Sequence, residues 1–239
     1  MEILYEDAHM IVCVKPAGIA TQTNQSGQQD MVSLLRNYRH EKGEEPYIGL
    51  IHRLDQPVEG ILAFGKHARS TSALNKQLQQ KNFSKIYLAV TRGVMPAHEG
   101  RLLDYLKKET CSNLSVVTGP TEPQAKKAEL IYRVLQTDES CQPVQNLVQI
   151  RLLTGRHHQI RVQMAHLGTP LAGDRKYGAP DLQQKIEGQS GLGLCACELE
   201  FLHPVKKKIM KFEIQPSQPV FQKFLHAGAR TETDRFSKK

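Results

Sequence analysis

The alternation of apolar and polar residues, with a period of two, restricts the fold of this chain more than any other feature. Apolar residues recur at alternate positions through residues 83–91, 128–135 and 144–153, which is the pattern of a strand with two different faces. Helical spacing is confined to fewer segments, such as residues 30–40 and 68–80. Many short strands with few helices predict an α+β domain on a mixed, mostly antiparallel β-sheet.

The size and charge of the chain fit a globular, basic protein with a polyanionic partner. With 239 residues, of which 39% are hydrophobic, the chain is long enough to bury a core as one large domain or two small ones. We expect one domain to span residues 1–227, and the charged residues 228–239 to form a flexible tail. Thirty-two Lys and Arg residues against 24 Asp and Glu residues give a formal charge of +8, which suits a nucleic acid better than a small acidic metabolite.

The N-terminus and the cysteines predict a cytoplasmic protein. Glu2, Glu6 and Asp7 stand where a signal peptide requires basic residues, and no apolar run of the sequence reaches membrane-spanning length. The five cysteines cannot all pair and are scattered, which disfavours a disulfide framework. Cys195 and Cys197 alternate like one face of a strand, so we interpret them as small core residues rather than zinc ligands.

Asp55 is the first candidate for a reactive group. It lies in IHRLDQPVEG, residues 51–60, between Leu54 and a turn that contains Pro57. A strand that ends at such a turn presents side chains on a rigid edge. Asp near Pro is also ordinary turn chemistry, and on these residues alone a simple turn is the better interpretation.

Three later segments, taken together with HRLD at residues 52–55, change that balance. They are SKIYLAV at residues 84–90, LLTGRHHQIR at residues 152–161 and PLAGDRKYG at residues 170–178. In this order and at these separations, they resemble the RluA family of RNA pseudouridine synthases. Several identities in each block make coincidence far less expected than for one short motif. The resemblance covers roughly residues 1–225 and implies the pseudouridine synthase fold, a mixed sheet flanked by helices and loops with an RNA cleft across it.

The resemblance implies roles for particular residues in an isomerase. Asp55 corresponds to the catalytic Asp of the family, Tyr87 to the tyrosine that packs against the target base, and Arg161 to the basic partner of Asp55. Arg53 corresponds to an arginine that can fill the space left by an extruded base. Detaching uracil, rotating it and rejoining it involves no net redox change, so neither a metal nor a nucleotide cofactor is expected. Whether Asp55 attacks the sugar, attacks the base or removes a sugar proton is left open.

Basic residues near these positions are predicted to contact RNA: Arg53, Lys85, Arg156 and His158. Lys85 shares a strand face with Tyr87 because the two are separated by two positions. A helix expected after Gly155, running to about Leu167, would put Arg161 at the edge of its buried stripe, from which a guanidinium can reach a cleft. Without the resemblance, a half-buried strand tyrosine and a solvated helix arginine are the commoner fates of such residues.

Some positions depart from the family pattern. Gln56-Pro57-Val58-Glu59-Gly60 stands where relatives commonly have Asp or Thr followed by Ser-Gly, and Glu59 is expected to put a second carboxylate near the RNA path. His157 replaces a usual Thr, and Gln163 a frequent His. We therefore expect catalysis to be retained, and these departures to bear on substrate choice more than on catalysis.

Other segments predict little chemistry. Residues 97–125 are interpreted as irregular hairpins without a functional role. The basic run Lys206–Lys208 fits a charged hairpin tip or a contact with the RNA backbone equally well.

Two other classes of function stay open on the sequence. One is a catalytically silent RNA-binding protein or RNA chaperone of the same fold; the other is an enzyme that cleaves glycosidic bonds of small nucleosides. We favour a catalytic domain without the small RNA-binding domain that many relatives carry before it, acting as a monomer on ribosomal or transfer RNA.

Overall fold

The computed structural model describes residues 1–23, 25, 27–110, 112–178 and 190–227. The predicted tail at residues 228–239 lies outside them. Within the described residues the strands are β1 (Glu2–Glu6), β2 (Met10–Lys15), β3 (Gly49–Leu50), β4 (Glu59–Gly65), β5 (Ser84–Arg92), β6 (Glu99–Lys108), β7 (Ser115–Thr118), β8 (Lys126–Asp138), β9 (Gln145–Leu152), β10 (Leu194–Leu202) and β11 (Ile209–Glu213). The helices there are α1 (Met31–Glu41), α2 (Ala68–Gln79), α3 (Gln159–His166) and α4 (Pro219–Ala227). None of these helices is long and apolar enough to cross a membrane.

All of these strands belong to one mixed sheet. Its order is β1-β2-β4-β10-β5-β9-β8-β6-β7, with β3 added to β4 and β11 added to β10. Among the described strand pairs, β4 and β10 run parallel, through Glu59 and Cys195, and the others run antiparallel. The expected α+β class with a mostly antiparallel sheet is confirmed.

The two faces of the sheet bury separate hydrophobic clusters because side chains alternate along each strand. On one side, Tyr87 and Ala89 of β5 join a cluster with α1 and α3. On the other side, Ile86, Leu88 and Val90 pack in a cluster with α4. Burying one such large side chain contributes about 1.5–3 kcal/mol. The sheet is therefore held between helices on both sides, and Cys195 and Cys197 are buried core residues, as predicted.

Of the irregular hairpins expected at residues 97–125, the hairpin is present, since β6 and β7 pair antiparallel, but the expected irregularity is wrong. Strand β6 is continuous and pairs with β8 from Glu99 opposite Arg133 to Leu106 opposite Lys126, and β7 pairs with β6 at the edge. The exposed face of β6 carries charges, and its exposed Leu103 interrupts the apolar alternation. A strand near the sheet edge needs only one apolar face, so its sequence signal is weak.

Helix α3 starts later than the sequence spacing predicts. His158 has a left-handed conformation, with φ of 53°, and the helix begins at Gln159. The Gln159 Oε1 atom accepts hydrogen bonds from the Thr154 hydroxyl at 2.8 Å and the Arg156 backbone N–H at 3.0 Å. Because this side chain stabilises a turn, the residues before Gln159 do not continue the helix, whose end at His166 agrees with the prediction.

Candidate active site

The four sequence blocks meet in one cleft with a volume of about 1800 Å³. Its lining includes Asp55 from HRLD, Tyr87 from SKIYLAV, Arg161 from LLTGRHHQIR and Asp174 from PLAGDRKYG. Asp55 follows β3 and Tyr87 lies on β5. Arg161 lies in α3, and Asp174 lies in the loop after α3. Strand pairing thus assembles one polar site from distant parts of the chain.

Arg161 connects two carboxylates in this cleft. Its Nε and Nη2 atoms donate to the Asp174 oxygens at 2.8 and 2.7 Å, and its Nη1 atom donates to the Asp55 Oδ2 atom at 3.4 Å. The Asp174 side chain is fully buried, whereas that of Asp55 is 28% exposed. These two acids and their hydrogen bonds raise the pKa of Arg161 against the opposing effect of burial. The predicted contact between Asp55 and Arg161 is confirmed, although Arg161 is buried rather than at the edge of the core.

A buried lysine fixes the loop that carries Asp55. The wholly buried Lys15 ammonium donates to the backbone carbonyls of Pro16, Ile19 and Gln56 at 2.9, 2.6 and 3.1 Å. Burial lowers the pKa of Lys15 to about 8, and the negative charge of Asp55 opposes that shift. Sequence reasoning missed this residue; its signal is a lysine placed directly after the apolar run of β2.

His158 lies beside the same carboxylate. Its Nε2 atom is 3.6 Å from the Asp55 Oδ2 atom, and its Nδ1 atom is 2.7 Å from the Tyr177 hydroxyl oxygen. Burial, followed by the positive charge of Arg161, lowers the pKa of His158 to about 3. The imidazole is therefore neutral near pH 7, so the predicted contact of His158 with RNA would involve a neutral ring.

Tyr87 forms part of the cleft wall and is otherwise buried in the core. Burial raises the pKa of its phenol, and the negative charge of Asp55 acts in the same direction. The hydroxyl consequently keeps its proton throughout the physiological range. A protonated phenol at this position offers both an aromatic surface and a hydrogen-bond donor.

The other residues predicted to contact RNA also line the cleft. Arg53 and Arg156 are exposed, and the Arg156 Nε atom donates to the Lys127 carbonyl at 2.8 Å. Lys85 is half-buried, and burial lowers its pKa. A Cβ atom at Gly155 would lie only 3.3 Å from the Lys85 Nζ atom, so the glycine leaves room for the ammonium. Together these residues give the cleft a positively charged wall.

The expectation that Glu59 puts a carboxylate near the RNA path is wrong. Glu59 is buried at the start of β4 and accepts hydrogen bonds from the Ser217 and Gln218 backbone N–H groups at 3.1 and 3.2 Å. The Ser217 hydroxyl donates to the same carboxylate at 2.5 Å. A carboxylate inside the sheet needs such partners, and here they tie the segment before α4 to β4.

The basic run Lys206–Lys208 lies in the turn between β10 and β11 and does not line the cleft. The Lys206 Nζ atom is 3.1 Å from the Asp7 carboxylate. This geometry favours the charged hairpin tip over a contact with RNA bound in the cleft.

Sequence reasoning also missed three polar residues that support Arg161 or the histidines beside it. Asp174 and Tyr177 stand in the PLAGDRKYG block, but the block itself assigns them no role. Ser115 of β7 gave no signal, because its contacts with Tyr177 and His157 depend on a strand that the sequence did not predict. Among the described residues, no group of three or more His, Cys, Asp or Glu side chains is arranged to hold a metal ion.

Comparisons with known proteins show the family to which the chain belongs. Residues 9–166 match the family model described as RNA pseudouridylate synthase. The uncharacterized RNA pseudouridine synthase YhcT of Bacillus subtilis (strain 168) is 31% identical over 218 residues, which are 89% of this chain and 68% of that protein. Ribosomal large subunit pseudouridine synthase C of Escherichia coli (strain K12) is 31% identical over 215 residues, 88% of this chain and 65% of that protein.

A solved structure has the same fold. Human RNA pseudouridylate synthase domain containing 4 superposes with a TM-score of 0.75 at 20% sequence identity, covering 94% of this chain and 92% of that one. The family model and the two relatives show that the protein is an isomerase that acts on RNA. It belongs to the RluA family of RNA pseudouridine synthases.

Proposed function

We propose that this enzyme converts uridines of large-subunit ribosomal RNA to pseudouridine, with Asp55 as its catalytic residue. The relative named ribosomal large subunit pseudouridine synthase C supports ribosomal RNA as the substrate. In this proposal the catalytic domain spans residues 1–227 and acts as a cytoplasmic monomer. The formal charge of +8 suits an RNA partner.

The observation that carries the proposal is the different surroundings of the two oxygens of the Asp55 carboxylate. Its Oδ2 atom faces Arg161 at 3.4 Å, while its Oδ1 atom has no hydrogen-bond partner among the described residues. One oxygen is therefore held and the other is available to the substrate, as attack on the sugar, attack on the base and removal of a sugar proton all require.

Tyr87 would receive the extruded uracil. Base stacking on an aromatic side chain contributes about 1–3 kcal/mol, and the protonated phenol of Tyr87 can donate a hydrogen bond to the base or help transfer the proton from its ring carbon. The buried ring of Tyr87 would also present an apolar wall that limits access of water to the detached uracil.

Basic residues would bind the RNA around this nucleotide. Extruding a base costs a few kcal/mol, and the exposed Arg53 at the cleft offers a planar cation to fill the gap. Lys85 and Arg156 line the cleft and, in this proposal, would contact phosphates.

The test is to incubate the purified protein with unmodified large-subunit ribosomal RNA and, separately, with unmodified transfer RNA, and to map pseudouridine by carbodiimide labelling and primer extension. We expect modification of the ribosomal RNA by wild-type protein and none by the Asp55→Asn variant. Asp138→Asn, which makes the same change outside the cleft, is the control and should keep activity. RNA binding without pseudouridine in any RNA would instead identify a silent RNA-binding protein.

A further inference from the structure

A chain of polar contacts runs from strand β7 to the catalytic carboxylate. The Ser115 backbone N–H donates to the Tyr177 hydroxyl oxygen at 2.8 Å, and that oxygen is 2.7 Å from the His158 Nδ1 atom. The opposite ring nitrogen of His158, Nε2, is 3.6 Å from the Asp55 Oδ2 atom. The imidazole therefore lies between a tyrosine and the carboxylate of the proposed catalytic residue.

The donors and acceptors in this series of contacts determine which ring nitrogen of a neutral His158 carries the proton. The Tyr177 oxygen already accepts the Ser115 N–H, and its single proton is free to point at the His158 Nδ1 atom. A neutral imidazole that accepts at Nδ1 carries its proton on Nε2. Burial raises the pKa of Tyr177 and lowers that of His158. Both groups therefore stay neutral near pH 7, and this assignment of protons applies there.

The Nε2–H group consequently points at Asp55. The distance of 3.6 Å exceeds the hydrogen-bond range by about 0.4–0.5 Å, and catalytic hydrogen bonds of this length commonly tighten when the substrate binds. Asp55 is partly exposed to the cleft, so its carboxylate has room to move, whereas His158 does not.

His158 is held rigidly by its surroundings. The His157 ring stacks on it with centroids 3.7 Å apart, and the His157 Nδ1 atom is 2.8 Å from the Ser115 hydroxyl oxygen. The Tyr177 ring also lies under the Arg161 guanidinium, 5.2 Å from centroid to carbon. Ser115 and Tyr177 therefore support both groups that face the Asp55 Oδ2 atom.

We propose that His158 is a positioning residue that donates its Nε2–H to the Asp55 Oδ2 atom in the complex with RNA, and that Tyr177 sets the required tautomer. Arg161 and His158 then converge on one oxygen of Asp55 and direct the other, Oδ1, at the target nucleotide. Arg161 alone leaves the carboxylate free to rotate, because only its Nη1 atom is available to Asp55. This inference rests on the proposed function of Asp55.

The first test reads the tautomer directly, without RNA. Long-range ¹H–¹⁵N NMR of the full chain distinguishes a protonated Nε2 from a protonated Nδ1 in histidine, and His158→Gln identifies the signal. We expect the Nε2–H form at neutral pH in wild-type protein, and loss of its dominance in Tyr177→Phe. An Nδ1–H form or a doubly protonated ring in the wild-type protein overturns the proposal.

The second test separates turnover from binding. Tyr177→Phe and His158→Leu should lower kcat about tenfold to a hundredfold, the range of a hydrogen bond to a charged group, with KM changed less than about twofold. His158→Gln, whose amide can donate from the Nε2 position, should recover much of the loss. Tyr38→Phe removes a tyrosine hydrogen bond to Glu6 outside the cleft and is the matched control.

Equal turnover by His158→Leu and wild-type protein would contradict the proposal. A rise in KM with unchanged kcat would instead indicate a simple RNA contact and overturn it as well. Wild-type protein that forms no pseudouridine would overturn the proposed function, and with it the positioning role of His158. The tautomer is measured independently of activity, so the two failures are distinguishable.

Discussion

The guanidinium of Arg161 is bound in a bidentate manner by Asp174, at 2.7 and 2.8 Å, while only its remaining nitrogen, at 3.4 Å, reaches Asp55. Asp174 is enclosed by the protein and its position does not depend on RNA. A bidentate pair fixes the plane of the guanidinium as well as its charge. Arg161 therefore faces Asp55 in a set orientation before any substrate binds.

Removing Arg161 should damage the fold mainly through Asp174. Arg161→Met and Asp174→Ala each leave one buried charge without its partner, which costs about 3–5 kcal/mol of unfolding free energy. The double variant should lose much less unfolding free energy than the sum of the losses in the two single variants. A double-mutant cycle by urea unfolding measures this coupling; additive effects of the two changes would contradict it.

Asp55→Asn should change stability little, because its carboxylate is partly exposed and its contact with Arg161 is long. We expect a stability change below about 1 kcal/mol, as for other exposed pairs, together with a loss of activity above about a thousandfold, as when other essential catalytic groups are removed. Thermal unfolding and pseudouridine mapping of one preparation measure both. Activity within about tenfold of wild type would exclude Asp55 as the catalytic residue.

RNA affinity should depend steeply on salt, because phosphate contacts release counterions. Lys85→Met removes a cation from the cleft wall and should make the slope of log K against log salt less steep by about one. Lys208→Met removes the same charge from an exposed position outside the cleft and should leave the slope unchanged. Filter binding over a salt series makes the comparison; equal effects of the two variants would argue for non-specific attraction.

Stability should fall as the pH drops below the ordinary pKa of a histidine side chain. Burial lowers the pKa of both His52 and His158 from 6.5 to about 3. Between these values the unfolded chain binds more protons than the folded protein, so the free energy of unfolding decreases as the pH falls.

Each of these two histidines should contribute about 1.4 kcal/mol per pH unit within that window. His158→Gln should remove the contribution of His158 to the slope of unfolding free energy against pH. The contribution of His52 should remain. Urea unfolding at several pH values between about 5 and 7, above the titration of ordinary carboxylates, provides the measurement. An identical slope in the variant would show that His158 is not held neutral.

Glu59→Gln should weaken the attachment of the segment before α4 rather than catalysis. The carboxylate accepts from two backbone N–H groups and one hydroxyl of residues 217–218, and we expect a loss of about 1–3 kcal/mol of unfolding free energy, typical of buried hydrogen bonds to a charged group. Activity per folded molecule should stay near that of wild type. Hydrogen exchange of α4 measures the weakening; a selective change in RNA specificity without it would place Glu59 in the RNA path after all.

The sequence determined much of this protein by itself. Alternation predicted strands such as β5, β8 and β9 because a strand buries every second side chain whatever it packs against. The family blocks singled out Asp55, Tyr87 and Arg161 as candidate catalytic residues, because a resemblance in sequence preserves the type of functional group at each position. The contact between Asp55 and Arg161, 106 positions apart, followed from the resemblance.

Only the tertiary structure decided which groups face each other. Glu59 is directed to Ser217, 158 positions away, and not to the cleft. Asp174 is the close partner of Arg161, and Ser115 approaches Tyr177 across 62 positions. Periodicity records that a face is buried, but the identity of its neighbour depends on strand order and on loop contacts. For a polar side chain that neighbour determines charge, tautomer and orientation, so these properties of the site could not be predicted before the chain was folded.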